Sequence, residues 1–206
     1  MTKTNQLSTS TPMFDRSAYI HIPFCEHICY YCDFNKVFLE GQPVDEYIQS
    51  LLKEIQLTQA LYPEQEMKTI YIGGGTPTSL SAKQLDVLLK GVREQLTFDD
   101  RNEFTVEANP GDLTQEKLQV MKNYGVNRLS MGVQTFDDRL LKKIGRKHTA
   151  ADVYETMKFL EKENFTNVSI DLIYALPGQT LVKFSRYFDK SLSIGLAALF
   201  ALFINS

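Results

Sequence analysis

Cysteine is scarce in this 206-residue chain, where only Cys25, Cys29 and Cys32 occur. An odd number at tight spacing argues against a disulfide framework, which needs more cysteines paired at longer range. It fits a reducing compartment, because thiolates must stay free to bind metal, and the expected location is cytoplasmic. An excess of charge of one sign is also lacking. The formal net charge is -3, so there is no electrostatic case for nucleic acid or for an anionic membrane as partner. No apolar h-region opens the chain: its start is polar and rich in Thr and Ser, no secretory signal is visible, and residues 1–16 are expected to form a disordered tail. The one long apolar run, residues 192–204, is too short for a bilayer span of about 20 residues and reads as a buried strand or helix.

What is present is a repeated strand–turn–helix pattern. Strand signals fall at 17–24, 67–72, 103–108, 127–133 and 167–174, and helical segments at 44–62, 81–96, 114–124, 137–144 and 150–163. In the first helix Tyr47, Ile48, Leu51, Leu52, Ile55 and Leu57 recur at helical spacing, and Pro63 follows its end. Ser81 suits an N-cap, and Gly125 the C-cap of the third helix. This alternation argues for parallel β/α architecture, as a barrel or a doubly wound sheet, with no internal domain boundary. Each strand ends in a polar or glycine cluster: the cysteines, residues 73–78, residues 107–109, Gln134, and Asp171 near Pro177-Gly-Gln179. In β/α barrels the loops after the strands build the active site, so five such ends in a row imply one shared site.

Two clusters carry chemistry. Three soft thiolates as C-x3-C-x2-C can converge on one point, and no fourth thiolate exists. A structural zinc or an ordinary iron–sulfur cluster usually takes four protein ligands, so this set leaves one metal position open. Spacing alone is compatible with a redox cluster, with zinc completed by His21 or His27, and with incidental thiols. Gly73-Gly-Gly-Thr-Pro-Thr78 strips side chains from a strand end, which lets a ligand approach backbone N–H and C=O groups, although a tight turn reads equally well. No Gly-Lys-Ser/Thr follows it, which excludes a Walker loop, and a dinucleotide fingerprint is absent.

Taken together, the cysteine triplet after the first strand and G-G-G-T-P-T at the second strand end resemble the radical S-adenosylmethionine (SAM) superfamily. Within it, Tyr19-Ile-His-Ile-Pro-Phe-Cys25, Tyr30-Tyr-Cys-Asp-Phe34, Ile72-Gly-Gly-Gly-Thr-Pro-Thr78, Glu107-Ala-Asn-Pro110, Arg128-Leu-Ser-Met-Gly-Val-Gln134 and Asp171-Leu-Ile-Tyr-Ala-Leu-Pro-Gly-Gln179 resemble the oxygen-independent coproporphyrinogen III oxidase group. The dehydrogenases of that group carry Gly-Cys after the third cysteine and a longer N-terminal arm. Here Asp33-Phe34-Asn35 follows Cys32 and 24 residues precede Cys25, both of which are like the heme chaperone branch.

The resemblance implies an α/β fold: a partial (βα)6 radical SAM barrel over residues 17–190, incomplete at its C-terminal side. It implies that Cys25, Cys29 and Cys32 ligate three irons of a [4Fe–4S] cluster, with the amino and carboxylate groups of SAM on the fourth. Tyr19, Tyr31, Gly74, Gly75, Thr76 and Glu107 match SAM-contacting positions. Gln134, Arg146 and Asp171 match further cofactor contacts, some of them belonging to a second SAM site in the dehydrogenases. No catalytic residue is assigned, and His21 and His148 are expected to be hydrogen-bonded structural residues. Heme is the implied cargo, with a heme-acceptor protein as partner and a flavodoxin or ferredoxin as electron donor. The alternatives are coproporphyrinogen dehydrogenation, an inactive fragment, or a zinc module. Past Leu181 the resemblance implies a helix, a sixth strand and a C-terminal domain. Residues 191–206 read instead as an atypical apolar tail in place of that strand, as in a truncated product.

Overall fold

The computed structural model describes residues 16–62, 66–192 and 198–203. The elements in chain order are β1 (Arg16–Ile22), β2 (Phe24–Cys25), β3 (Val37–Phe38), α1 (Val44–Leu61), β4 (Glu66–Gly74), α2 (Ala82–Gln95), β5 (Thr97–Ala108), α3 (Gln115–Asn123), β6 (Arg128–Gln134), α4 (Asp138–Lys143), α5 (Ala150–Lys162), β7 (Val168–Tyr174), α6 (Leu181–Leu192) and β8 (Ala198–Phe203). Six strands form one parallel sheet in the order β1-β4-β5-β6-β7-β8, which is the order of the chain. A doubly wound sheet reverses its order at a switch point. None occurs here, so right-handed crossovers place the connecting helices on one face, and this is barrel-type winding. The expected α/β barrel architecture is therefore met, with β1 and β8 as the sheet edges among the described residues.

Alternation along each strand sorts the two faces. Ile20 and Ile22, Ile70 and Ile72, Phe104 and Val106, Leu129 and Met131, and Ile170 and Leu172 are buried in one apolar cluster with Ile48 of α1, Leu85, Leu88 and Leu89 of α2, and Leu160 of α5. Burying each such side chain contributes about 1.5–3 kcal/mol. Intervening positions carry polar groups to the opposite face: Tyr71, Thr105, Glu107, Arg128, Ser130, Ser169 and Asp171. Register sets them side by side, with Tyr71 opposite Thr105, Thr105 opposite Arg128, and Glu107 opposite Ser130. The Arg128 guanidinium donates to Thr105 Oγ1 at 3.2 Å and to Ser169 Oγ at 2.9 Å, stitching three strands together. The inner face is thus a hydrogen-bonded polar floor.

Local signals account for the ends of the helices. Ser81 accepts from Gln84 N at 3.2 Å while the Gln84 side chain accepts from Ser81 N at 3.0 Å, a full capping box worth about 1 kcal/mol. Thr149 and Asp152 repeat this at α5. Thr114 caps α3 through Lys117 N alone, and Gly125 follows it with φ +78°. Gly91 of α2 allows α1 to come close, since a Cβ there would lie 2.5 Å from a Leu52 methyl.

Three elements differ from their sequence patterns. The strand signal at 17–24 breaks at Pro23, which has no N–H to give the sheet, and Phe24–Cys25 pairs instead with Val37–Phe38. β5 begins at Thr97, well before the expected 103, because Glu66 and Met67 pair with Thr97 and Phe98. Asp99 and Asp100 mask the strand pattern there, while the Arg93 guanidinium caps the Phe98 ring at 3.9 Å. Within the apolar run, Ala198–Phe203 is itself a strand in parallel register with β7, Ile170 opposite Leu199 and Asp171 opposite Phe200. Pro63 and the polar tail 1–15 lie outside the described residues. No helix among the described residues is long and apolar enough to cross a membrane.

Candidate functional site

The cysteine loop is tied down on three sides. Val37 N donates to Pro23 O and Leu39 N to Cys25 O, both at 2.9 Å, closing the β2–β3 ribbon. Gly75 N donates to Ile22 O and Thr76 N to Phe24 O, both at 2.8 Å, which clamps the glycine turn onto the chain just before Cys25. Tyr30 N donates to Ile144 O at 3.1 Å, holding the far side against the end of α4. The turn needs glycine for the chain's own sake: a Cβ on Gly75 would lie 2.6 Å from Pro23 O, and one on Gly73 would lie 2.8 Å from the Glu107 carboxyl. The tight turn is realised, and Gly74 and Gly75 also line a cavity.

That cavity, of about 370 Å³, lies at the C-terminal ends of β4–β7 and beside the cysteines. Cys25, Cys29, Cys32, Tyr31, Gly74, Gly75, Thr76, Glu107, Gln134, Arg146 and Asp171 all line it. The cysteine loop, residues at or near the ends of β4, β5, β6 and β7, and Arg146 therefore meet at one place, as the run of polar strand ends implied. Tyr19 does not line it. It lies on β1, in register with Tyr71 and below the strand ends; its ring stacks on Tyr71 at 6.2 Å, and its hydroxyl meets His21 Nδ1 at 3.0 Å. Tyr19 abuts the cavity residue Tyr71. His21 and His148 behave as structural histidines, with Nε2 atoms on Asn35 O and Val133 O.

The cavity walls are charged and partly unsatisfied. Glu107 accepts from Tyr71 Oη at 2.7 Å and from Gly74 N at 3.1 Å; burial raises its pKa and these bonds lower it, burial prevailing. Burial and then the Glu107 carboxylate push the Asp171 carboxyl up to about 6, against the pull of Arg146 and Arg128. Tyr31 is held neutral by burial and packs on Leu140, Ile144, Ile173 and Leu176. Arg146 enters from the α4–α5 loop: its Nη1 donates to Asn109 Oδ1 at 2.9 Å and toward Cys29 Sγ at 3.7 Å, and its Nη2 donates to Gly132 O. Gly132 clears its path, since any Cβ there would collide with Nη2. Gln134 sits in the left-handed region at φ +67°, after a register shift in β6. Its buried Oε1 and the buried Arg146 Nε have no hydrogen-bond partner among the described residues. Such orphaned atoms cost about 1–3 kcal/mol each and mark places where a ligand atom is welcome.

The three thiols are free, Cys25 buried and the others half-buried. All three line the same cavity, the gathering at one place that their spacing allowed. Among the described residues no group of three or more Cys, His, Asp or Glu side chains closes on a single ion. A cubane cluster makes no such demand, because each thiolate binds a different iron, so the donor set and the orphaned atoms beside it fit a cluster with a polar ligand alongside. Among the lining residues to which sequence reasoning gave no individual role are Asn109, within the polar 107–109 strand end, Tyr71, Arg128 and Ser130. Alternation along β4 and β6 is the signal that places the last three on the inner face.

The sequence model of the radical SAM superfamily matches residues 19–190. The chain belongs to the radical SAM superfamily. Among curated radical SAM relatives, the heme chaperone HemW of Lactococcus lactis subsp. lactis (strain IL1403) is 53% identical over 191 residues, covering 92% of this chain and 49% of that protein. HemW of Bacillus subtilis (strain 168) is 53% identical over 180 residues, covering 87% and 48%. The solved radical SAM enzyme HemN, the coproporphyrinogen III oxidase of Escherichia coli, superposes with a TM-score of 0.80 at 32% identity, covering 89% of this chain and 43% of that one. The chain spans about half the length of the curated relatives it matches. Radical SAM membership implies a [4Fe–4S] cluster and SAM, and the cavity is where the matching residues gather.

Proposed function

We propose that Cys25, Cys29 and Cys32 hold three irons of a [4Fe–4S] cluster, that SAM occupies the adjoining cavity, and that the protein takes up heme and passes it to an acceptor in a reducing cytoplasm. One observation carries the cofactor reading: three free thiols and two orphaned buried polar atoms share a single cavity. The chemistry such a pair supplies when bound is one-electron transfer to a sulfonium, with a flavodoxin or ferredoxin as the source of the electron. The chain's own residues bind and orient. Glu107, pinned by Tyr71 and Gly74, keeps lone pairs for hydroxyl or amino donors. Gln134 Oε1 is a ready acceptor and Arg146 Nε a ready donor. Tyr31 and its apolar cluster close off water on the α4 side.

Delivery of heme is favoured over coproporphyrinogen oxidation by a comparison within one organism: 41% identity to the heme chaperone of Escherichia coli against 35% to its oxygen-independent coproporphyrinogen III oxidase. Asp33-Phe34-Asn35 after Cys32 points the same way. Anaerobic reconstitution with iron and sulfide, followed by EPR with and without SAM, tests the site. A reduced cluster signal that SAM alters is expected; tightly bound zinc with no cluster would refute the reading. Heme titration then divides the functions: stoichiometric heme binding without consumption of coproporphyrinogen supports delivery, and SAM-dependent oxidation of coproporphyrinogen supports the enzyme.

A further inference from the structure

Asn109 stands between two of the cysteines without touching either. Its Nδ2 donates to Thr76 Oγ1 at 3.2 Å, and Thr76 Oγ1 lies 3.6 Å from Cys25 Sγ. Its Oδ1 accepts from Arg146 Nη1 at 2.9 Å, and the same Nη1 lies 3.7 Å from Cys29 Sγ. A continuous hydrogen-bonded bridge thus runs from Cys25 through Thr76, Asn109 and Arg146 to Cys29. Chemistry fixes the direction of each link. A guanidinium can only donate, so the amide oxygen must face Arg146 and the amide nitrogen must face Thr76. With its oxygen accepting from the amide, the Thr76 hydroxyl has its proton free for sulfur, and a metal-bound thiolate can only accept. The amide is itself anchored, its backbone N donating to Thr78 Oγ1 at 3.3 Å.

We infer that Asn109 is a positioning residue for the cluster: it makes Thr76 a donor to Cys25 Sγ, holds Arg146 beside Cys29 Sγ, and thereby raises the cluster's reduction potential. The inference rests on the cluster reading above. Reduction adds negative charge that spreads onto the thiolate sulfurs, so donors aimed at those sulfurs stabilise the reduced form. Asn109→Asp reverses this with almost no change of shape. A carboxylate accepts on both sides, draws the Thr76 hydroxyl proton away from sulfur, and neutralises Arg146.

The test measures the midpoint potential of the reconstituted cluster without SAM, with resonance Raman of the iron–thiolate stretches and the melting temperature of the unloaded chain. Asn109→Asp is expected to move the potential to more negative values and the stretches to higher frequency. Thr76→Val is expected to do the same, Thr76→Ser to restore the wild-type values, and the Asn109→Asp/Thr76→Val pair to shift by less than the sum of the singles. Should Asn109→Asp not load, the near-isosteric Asn109→Leu, which releases Arg146, is expected to shift the potential in the same direction. Variants that load normally and keep the wild-type potential and Raman bands overturn the role of Asn109 and leave the cluster reading standing. A wild-type chain that takes up no cluster overturns both.

Discussion

Gly75→Ala tests whether the cysteine loop is held by the glycine turn. Gly75 has no left-handed φ, so the whole cost of the substitution is steric. The new Cβ would lie 2.6 Å from Pro23 O and 2.7 Å from Phe24 O, both rigid backbone atoms. Relief requires the turn to move away, which breaks Gly75 N to Ile22 O and Thr76 N to Phe24 O. Two backbone bonds at about 1 kcal/mol each, with about 1–2 kcal/mol of overpacking, give a loss of roughly 3–4 kcal/mol. For a chain of this size that lowers the melting temperature by roughly 10 °C. Gly41→Ala is the control: Gly41 has φ +75° and no heavy atom within 4 Å of the Cβ position, so it should cost only about 1 kcal/mol of backbone strain. Thermal unfolding by circular dichroism and iron per chain after reconstitution are the readouts. Gly75→Ala melting no lower than Gly41→Ala, with full iron loading, would refute the reasoning.

Three further outcomes are expected. Gly91→Ala should destabilise by about 1–3 kcal/mol through its clash with Leu52, and Leu52→Val should recover part of that loss in a double-mutant cycle of urea midpoints. The raised Asp171 pKa makes a stability contribution that is full below the unfolded value near 3.9 and lost as pH rises through about 6; Asp171→Asn should remove that decline, worth at most about 3 kcal/mol, from urea midpoints at pH 4–7. His148 acts with opposite sign: burial and then Arg146 hold its pKa down at about 4, so its contribution is present above pH 6.5 and lost as pH falls toward 4, and His148→Gln should flatten the acid limb.

Much of the site was legible because its parts are local. The C-x3-C-x2-C spacing, the glycine run and the polar strand ends each sit within a few residues, and the β/α alternation says that such ends share a rim. Eleven of the twelve residues picked out from the sequence line one cavity. Tyr19 is the exception: its register partner Tyr71 lines the cavity, while Tyr19 stands one strand further out on the edge strand β1. The strand signal covers only the second half of β5, because Asp99 and Asp100 break the apolar pattern, while pairing with β4, which sequence does not display, supplies the strand.

The order of residues along the chain dictated the alternation of apolar and polar positions, and with it the buried helix-facing side and the polar floor. It also determined that three thiols lie on one loop. Tertiary structure alone decided how polar groups from separate loops meet: that Asn109 links Thr76 to Arg146, and that Gly132 clears space for that guanidinium. The physical reason is that such meetings depend on strand register and loop docking across gaps of 33 and 37 residues. Local periodicity carries no information about them.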